Sequence, residues 1–233
     1  TSTGLKSDSL GEYVKIIATS DTWRTGYYFI NGNAQTFVNY YLPAIIEEEA
    51  EYVIEIAKLQ KYLKTMKGEV SINISEGGCQ LSCENKKATM PIAIIHPHEA
   101  AIDNFFRFSK ESAFYGEELE PMKWGKTLLL SAVKIKSKEL SNAISACETV
   151  GHGIYKFEIM DGKFTITSTQ GRELYSTEYS LLDNAIGEAT VDFTGPMHKG
   201  LSSELSNIHF NDDSIIVFTS DSVTIARAPY VVV

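Results

Sequence analysis

The sequence predicts an α+β protein in which a β-sheet domain carrying two short helices is used twice. Three observations predict it. Apolar residues alternate over many short runs bounded by turn signals, as half-buried strands require. A few segments switch to helical spacing. The succession of elements in the first half then returns in the second, which points to one architectural unit duplicated. At 233 residues with 43% hydrophobic content, the chain can bury the cores of two ordinary domains without covalent staples.

A first helix is expected over residues 9–19, SLGEYVKIIAT, where Leu10, Tyr13, Val14 and Ile17 share a face. GYYFI and AQTFVNYYL follow as strands joined through Asn31-Gly32, a strong hairpin signal. EYVIEIA is a strand that runs straight into a helix from Lys58. VSINIS and CQLSC pair across Glu76-Gly77-Gly78, and ATMPIAII is the last strand of this half. From Phe106 to Lys126 there is no sustained period, and Gly, Pro and clustered charge predict a linker. The pattern then restarts. A helix at 137–149 places Leu140, Ile144 and Cys147 on one side, and IYKFEIM and KFTITST pair across Asp161-Gly162. LYSTEYSLL, ATVDFT, a helix from about Pro196 to Ser206, the pair NIHF and SIIVFTS across Asn211-Asp212-Asp213, and TIARAPYVVV complete the chain. Each half therefore reads helix, hairpin, strand, strand, helix, hairpin, final strand. The expected division is 1–108, a connector at 109–126, and 127–233.

Composition narrows the function classes. A formal charge of −9 argues against a polyanion-binding surface that covers the whole protein, since such binding displaces counterions with Lys and Arg. Charge can still be distributed unevenly, so one face can be basic. Cys79, Cys83 and Cys147 are too few and too dispersed for a disulfide framework, and the first two lack a second ligand pair for zinc; a reducing compartment is expected. No apolar run approaches the roughly 18 residues that span a bilayer, and TSTGLKSDSL has no signal-peptide core. A soluble, intracellular, cytoplasmic protein (host cytoplasm if viral) with no membrane partner is expected.

The stretch KLQKYLKTMKGE carries Lys58, Lys61, Lys64 and Lys67 with no acid until its end. At 100° per residue, Leu59, Tyr62, Leu63 and Met66 cluster in one direction while Lys61, Lys64 and Lys67 point the other way. An ordinary solvated face and a phosphate-facing surface explain this helix equally well. The other three helices mix signs: Lys15 with Glu12, Lys138 with Glu139 and Glu148, His198 and Lys199 with Glu204.

EYVIEIAKLQKYLKTMKGEVSINIS resembles the first-domain segment of sliding clamps of the proliferating-cell-nuclear-antigen type. The second half, LLSAVKIKSKELSNAISACETVGHGIYKFEIMDGKFTITSTQGRELYSTEYSLL with the ending ARAPYVVV, is similar to clamps of T4-like bacteriophages. The resemblance covers nearly the whole chain and rests on pattern and spacing. It implies a two-domain processivity-clamp fold whose subunits join head to tail into a homotrimer, a pseudo-sixfold ring with helices lining the hole. It implies double-stranded DNA held topologically and without sequence preference, a DNA polymerase tethered by the ring, and an ATP-dependent clamp loader. The residues facing DNA would be Lys15, Lys58, Lys61, Lys64, Lys67, Lys138 and Lys199. The subunit contact would pair Ala88, Met90, Ile92 and Ile94 of one subunit with Leu174, Ser176 and Glu178 of the next, with Pro91 shortening any ladder. Client peptides would dock at Met122, Trp124, Pro229 and Tyr230, although Trp124 reads equally as a core anchor of the second domain.

Chemistry is weakly represented. His96-Pro97-His98 lacks a third metal ligand, Glu47-Glu48-Glu49 reads as a solvated run, and Gly151-His152-Gly153 is a turn without a nucleophile. No phosphate-binding glycine loop or nucleophile elbow occurs. The expectation is a protein without enzymatic activity, metal or cofactor. The rival readings are a duplicated β-rich structural or assembly protein, for example of a virion, and an enzyme built on the His96/His98 loop.

Overall fold

Antiparallel pairing organises the chain from its first described strand. The computed structural model describes residues 13–19, 22–31, 34–92, 99–111, 119–150, 154–170, 172–180, 184–194, 205–220 and 223–230. β1 (Tyr13–Thr19), β2 (Thr22–Asn31), β3 (Ala34–Pro43) and β4 (Ala50–Glu55) pair in the spatial order β3-β2-β1-β4. α1 (Ile56–Leu63) leaves β4 and leads into a three-stranded meander of β5 (Ser71–Ser75), β6 (Gly78–Cys83) and β7 (Lys86–Met90). Next come α2 (Glu99–Glu111) and a hairpin of β8 (Met122–Trp124) and β9 (Thr127–Leu129). β10 (Ser131–Lys136) continues directly into α3 (Ser137–Val150), followed by β11 (Ile154–Met160), β12 (Lys163–Gln170), β13 (Glu173–Ser180), the short β14 (Ala185–Ile186) and β15 (Ala189–Thr194). β16 (Leu205–Phe210), β17 (Ile216–Ser220) and β18 (Val223–Arg227) close the fold.

The duplication is visible as geometry. A nine-stranded sheet runs β14-β10-β16-β17-β18-β3-β2-β1-β4, so four strands of the first half join five of the second through one ladder, β18 with β3. The halves correspond in space but not in chain order: of this sheet's strands, four of the first half precede α1 and only β10 of the second precedes α3, which corrects the shared order read from the sequence. From β4 the chain passes through α1 to the meander β5-β6-β7. From β10 it passes through α3 to the sheet β13-β12-β11-β15.

Register assigns the faces of the large sheet. Lys15 lies opposite Gly26, Gly26 opposite Asn39, and Asn39 opposite Thr224, so these residues share one face and their neighbours along each strand share the other. On that other face, Val14, Ile16, Tyr52 and Ile54 pack against Cys79, Leu81, Cys83 and Met90 of the small meander. Further along the same face, Ile208, Phe210, Phe218 and Ile225 pack with Tyr155, Phe157, Phe164 and Phe193 and with Leu140, Ala143, Ile144 and Cys147 of α3. The result is two β-sandwiches side by side under one continuous sheet. The opposite face carries α2 and the β8-β9 hairpin: Phe105, Met122, Trp124 and Leu129 meet Val217 and Ala226, and Ile102 and Phe106 form a second cluster beside Ile17 and Phe37. His209, on this face of β16, is fully buried and fixes the segment before β8 by a 3.1 Å bond between its Nε2 and the Glu120 carbonyl.

Several sequence expectations change. Residues 13–19 form a strand instead of the end of a helix. Val14 and Ile16 face the meander, Ile17 packs beneath α2, and Lys15 is buried through ion pairing, so both faces of this β-branched segment are used. Residues 9–12 lie outside the described residues. The linker expected from Phe106 to Lys126 begins inside α2 and ends in the β8-β9 hairpin. The apolar residues of α2, Ile102, Phe105 and Phe106, have a partner face that sequence periodicity could not reveal. The helix expected at 196–206 falls outside the described residues except for Leu205 and Ser206, which begin β16. The hairpins read at Asn31-Gly32 and Asp161-Gly162 form, with Asn31 opposite Ala34 and Met160 opposite Lys163. Among the described residues no helix is long and apolar enough to cross a membrane.

Candidate nucleic-acid interface

α1 is shorter than the lysine run suggests, and its end is built by neighbours. Leu59 and Tyr62 pack on the meander core, Met66 is buried in it, and Leu63, expected on the apolar side, is more than a third exposed. Lys64 is the C-cap, and Gly68 takes φ +94° two residues beyond Met66, in the left-handed region that favours glycine. The turn at 64–67 is closed by Lys64 N–H to the Gln60 carbonyl (3.0 Å), Thr65 N–H to Tyr62 (2.9 Å) and Met66 N–H to Leu63 (3.1 Å). The β6-β7 hairpin holds it from outside. The Cys83 thiol donates to the Lys67 carbonyl at 2.9 Å, and the Lys86 ammonium donates to the Thr65 carbonyl.

The lysines of this segment are not equivalent. Lys61, Lys64 and Lys67 are exposed. Lys58 is tied to Glu55 one turn earlier by a 2.6 Å ion pair, and that hydrogen bond and charge raise its pKa. On α3, Lys138 is exposed beside Glu139, which itself reaches Lys136 at 3.8 Å, and Glu148 accepts a bond from Tyr155 Oη. The α3 surface is therefore mixed in sign, as its sequence predicts. Lys199 lies outside the described residues.

Lys15 is the clear departure. Its side chain is 4% exposed, and its ammonium bridges Asp103 of α2 at 2.6 Å and Glu51 of β4 at 3.2 Å. Burial works against the charge, yet the bonds and charges of Asp103 and Glu51 outweigh it and raise the pKa. A lysine enclosed in this way staples α2 to the sheet and offers no cation to a ligand.

The expected interface strands are both sheet edges. β7 pairs only with β6, and β13 only with β12, among the described residues. On β7, Met90 is buried, Ala88 is half-buried, and the strand stops before Pro91, which has no N–H to extend a ladder; Ile92 packs on the meander core and Ile94 lies outside the described residues. On β13, Leu174, Ser176 and Glu178 are exposed, with Glu178 paired to Lys163 at 3.0 Å. The expected peptide-pocket residues divide. Met122 and Trp124 are buried, Trp124 between Phe105 (5.8 Å between ring centroids) and Phe108 (6.1 Å), in a cluster that α2 shares with Phe37, Val217 and Ala226. Pro229 and Tyr230 are half-buried past β18, where Tyr230 N–H bonds the Asp192 carbonyl at 2.7 Å. Sequence reasoning missed Lys86 and Asp103. Each acts on a partner distant in the chain, so no local spacing could signal either.

No protein-family model and no curated protein sequence matches the chain. Solved structures do. A chain of the A. fulgidus PCNA complex with the C-terminal region of FEN-1 is similar over 95% of this chain and 91% of its own, with a TM-score of 0.66 at 13% identity. PCNA from Thermococcus kodakaraensis is similar over 94% and 91%, at 0.65 and 12%. A putative DNA polymerase III beta subunit from Eubacterium rectale covers all of this chain, at 0.70 and 12%, although the match takes in only 60% of that longer chain. The fold is that of the sliding clamps.

Proposed function

We propose that this protein is a DNA sliding clamp: a homotrimeric ring that encircles duplex DNA without reading its sequence and tethers a DNA polymerase as a processivity factor. The observation that carries the reading is the exposed, acid-free lysine face of Lys61, Lys64 and Lys67 on a chain of net charge −9 that has the sliding-clamp fold. Lysine point charges suit phosphates whose position changes as the ring moves, because they impose no base-specific geometry. The acidic remainder of the surface disfavours DNA elsewhere. The two halves, 1–108 and 127–233, would be the ring's pseudo-repeats around the connector 109–126. Edge strands β7 and β13 would pair between subunits, a ladder that also protects both edges from aggregation. An ATP-dependent loader would open the ring, and client peptides would dock near Pro229 and Tyr230.

The test is processive synthesis on a primed circular template with polymerase and loader. Replacing Lys61, Lys64 and Lys67 together by Glu abolishes stimulation while leaving the oligomer intact; full stimulation by that variant would sink the reading.

A further inference from the structure

The lysine run alone does not define the basic surface, because the end of α1 is completed by a residue from another element. We infer that Lys86, on the β6-β7 hairpin, is a phosphate-contacting residue that forms one site with Lys61, Lys64 and Lys67; this rests on the sliding-clamp reading. The exposed C-terminal turn of a helix presents unpaired carbonyls and a partial negative charge, which repels a phosphate. Lys86 answers that locally: its ammonium donates to the Thr65 carbonyl at this turn. An ammonium has three donors, so two remain for a phosphate oxygen or water. The tether also holds Lys86 next to Lys64 and Lys67, so ordering it against a ligand costs less than ordering a free lysine. Lys58, at the other end of α1, is already neutralised by Glu55.

The register separates Lys86 from its neighbour. Lys86 lies opposite Cys83, whose thiol reaches the Lys67 carbonyl, whereas Lys87 lies opposite Ser82 and projects from the other face of the meander. The acids closest in sequence, Glu69 and Glu84, are exposed and flank the cluster without an ion pair to it among the described contacts. The site therefore spans two elements, the α1 turn and the start of β7.

The slope of duplex affinity against salt tests this, measured by anisotropy with a short labelled duplex and the full chain. Each phosphate contact contributes about 0.9 to the slope of log K against log salt. Lys86→Gln keeps a donor for the Thr65 carbonyl but removes the charge, and it lowers affinity several-fold and the slope by about 0.9. Lys86→Arg retains both. Lys126→Ala, which removes one exposed charge from the β8-β9 turn on the opposite face, changes neither. If Lys86→Gln binds like the parent while Lys61→Gln weakens binding, Lys86 is a helix cap only and the inference is overturned while the clamp reading stands. If the parent chain shows no salt-dependent binding at low ionic strength, the inference is overturned, whereas the clamp reading, which holds DNA topologically, stands or falls on processive synthesis with the circular template.

Discussion

At the scale of single residues, His209 carries a distinct pH dependence. Its ring is fully buried on β16, Nε2 meets the Glu120 carbonyl, and Nδ1 has no hydrogen-bond partner. Burial pushes the pKa down to about 4, with the Glu120 bond opposing only in part. The folded-state value lies below the ordinary 6.5, so the unfolded chain takes up a proton first as pH falls. The stability is complete above about pH 6.5, declines through the acid range and levels off near 4, a loss of roughly 3 kcal/mol from this group. Urea unfolding at pH 7 and at pH 4.5 checks it. The gap between the two midpoints narrows in His209→Gln relative to the parent, and an equal gap in both would assign the acid sensitivity to other groups. Arg227 behaves differently. Burial lowers its pKa only to about 10, so the guanidinium that donates to Thr36 Oγ1 stays charged near neutrality.

At the scale of elements, α2 is the largest addition to what the sequence conveys. Phe105 stacks on Phe37 at 5.2 Å between centroids and touches Trp124, Ser109 bonds Tyr41 Oη at 2.7 Å, and Asp103 holds Lys15. Phe105→Ala removes the central contact and costs about 3–5 kcal/mol, read from the shift in denaturant midpoint; a loss below about 1 kcal/mol would mean that α2 rests only lightly on the sheet. Elements whose partners are near in sequence were legible. The α3 face, the strand running into α1 and the hairpins at Asn31-Gly32 and Asp161-Gly162 all carry period and turn chemistry in one window. α2 was not legible, because Gly, Pro and charge just after it obscured a helix whose apolar side is defined by Phe37, Trp124 and Ala226, far away in the chain. β1 was misread for a related reason: Val14 and Ile17 fit one helical face, whereas in the strand they take opposite faces that are both covered, Val14 by the meander and Ile17 by α2, and only Glu51 and Asp103 explain a buried Lys15. The same limit applies to the interface. Lysine spacing showed the exposed face of α1, but not that Lys58 is engaged by Glu55 or that Lys86 joins the turn.

At the scale of the whole molecule, the closed-ring reading makes a definite statement about mass. Light scattering at high concentration gives three times the 25.9 kDa of one chain, and Leu174→Glu, on the exposed edge strand β13, shifts the particle toward one chain without lowering its thermal midpoint. A parent protein that remains a single chain at every concentration would remove the ring. The edge positions of β7 and β13 make this a test of assembly separate from folding, because neither strand's outer side contributes to the described sheets.

The ladder between β18 and β3 has a mechanical consequence. It joins the halves over five residue pairs, Val223 with Tyr40 through Arg227 with Thr36, and is reinforced by Arg227 reaching Thr36 and by Val38 packed into the second-half core. Separating the halves would break a continuous stretch of backbone bonds and expose apolar surface at once, whereas a ladder between two subunits can be undone one pair at a time from its end. Each chain should therefore bear load as a rigid arc. If the proposed ring forms, its compliance would then concentrate at its seams, and the force needed to open it would be set by the few residues of β7 and β13 and not by the much larger core behind them.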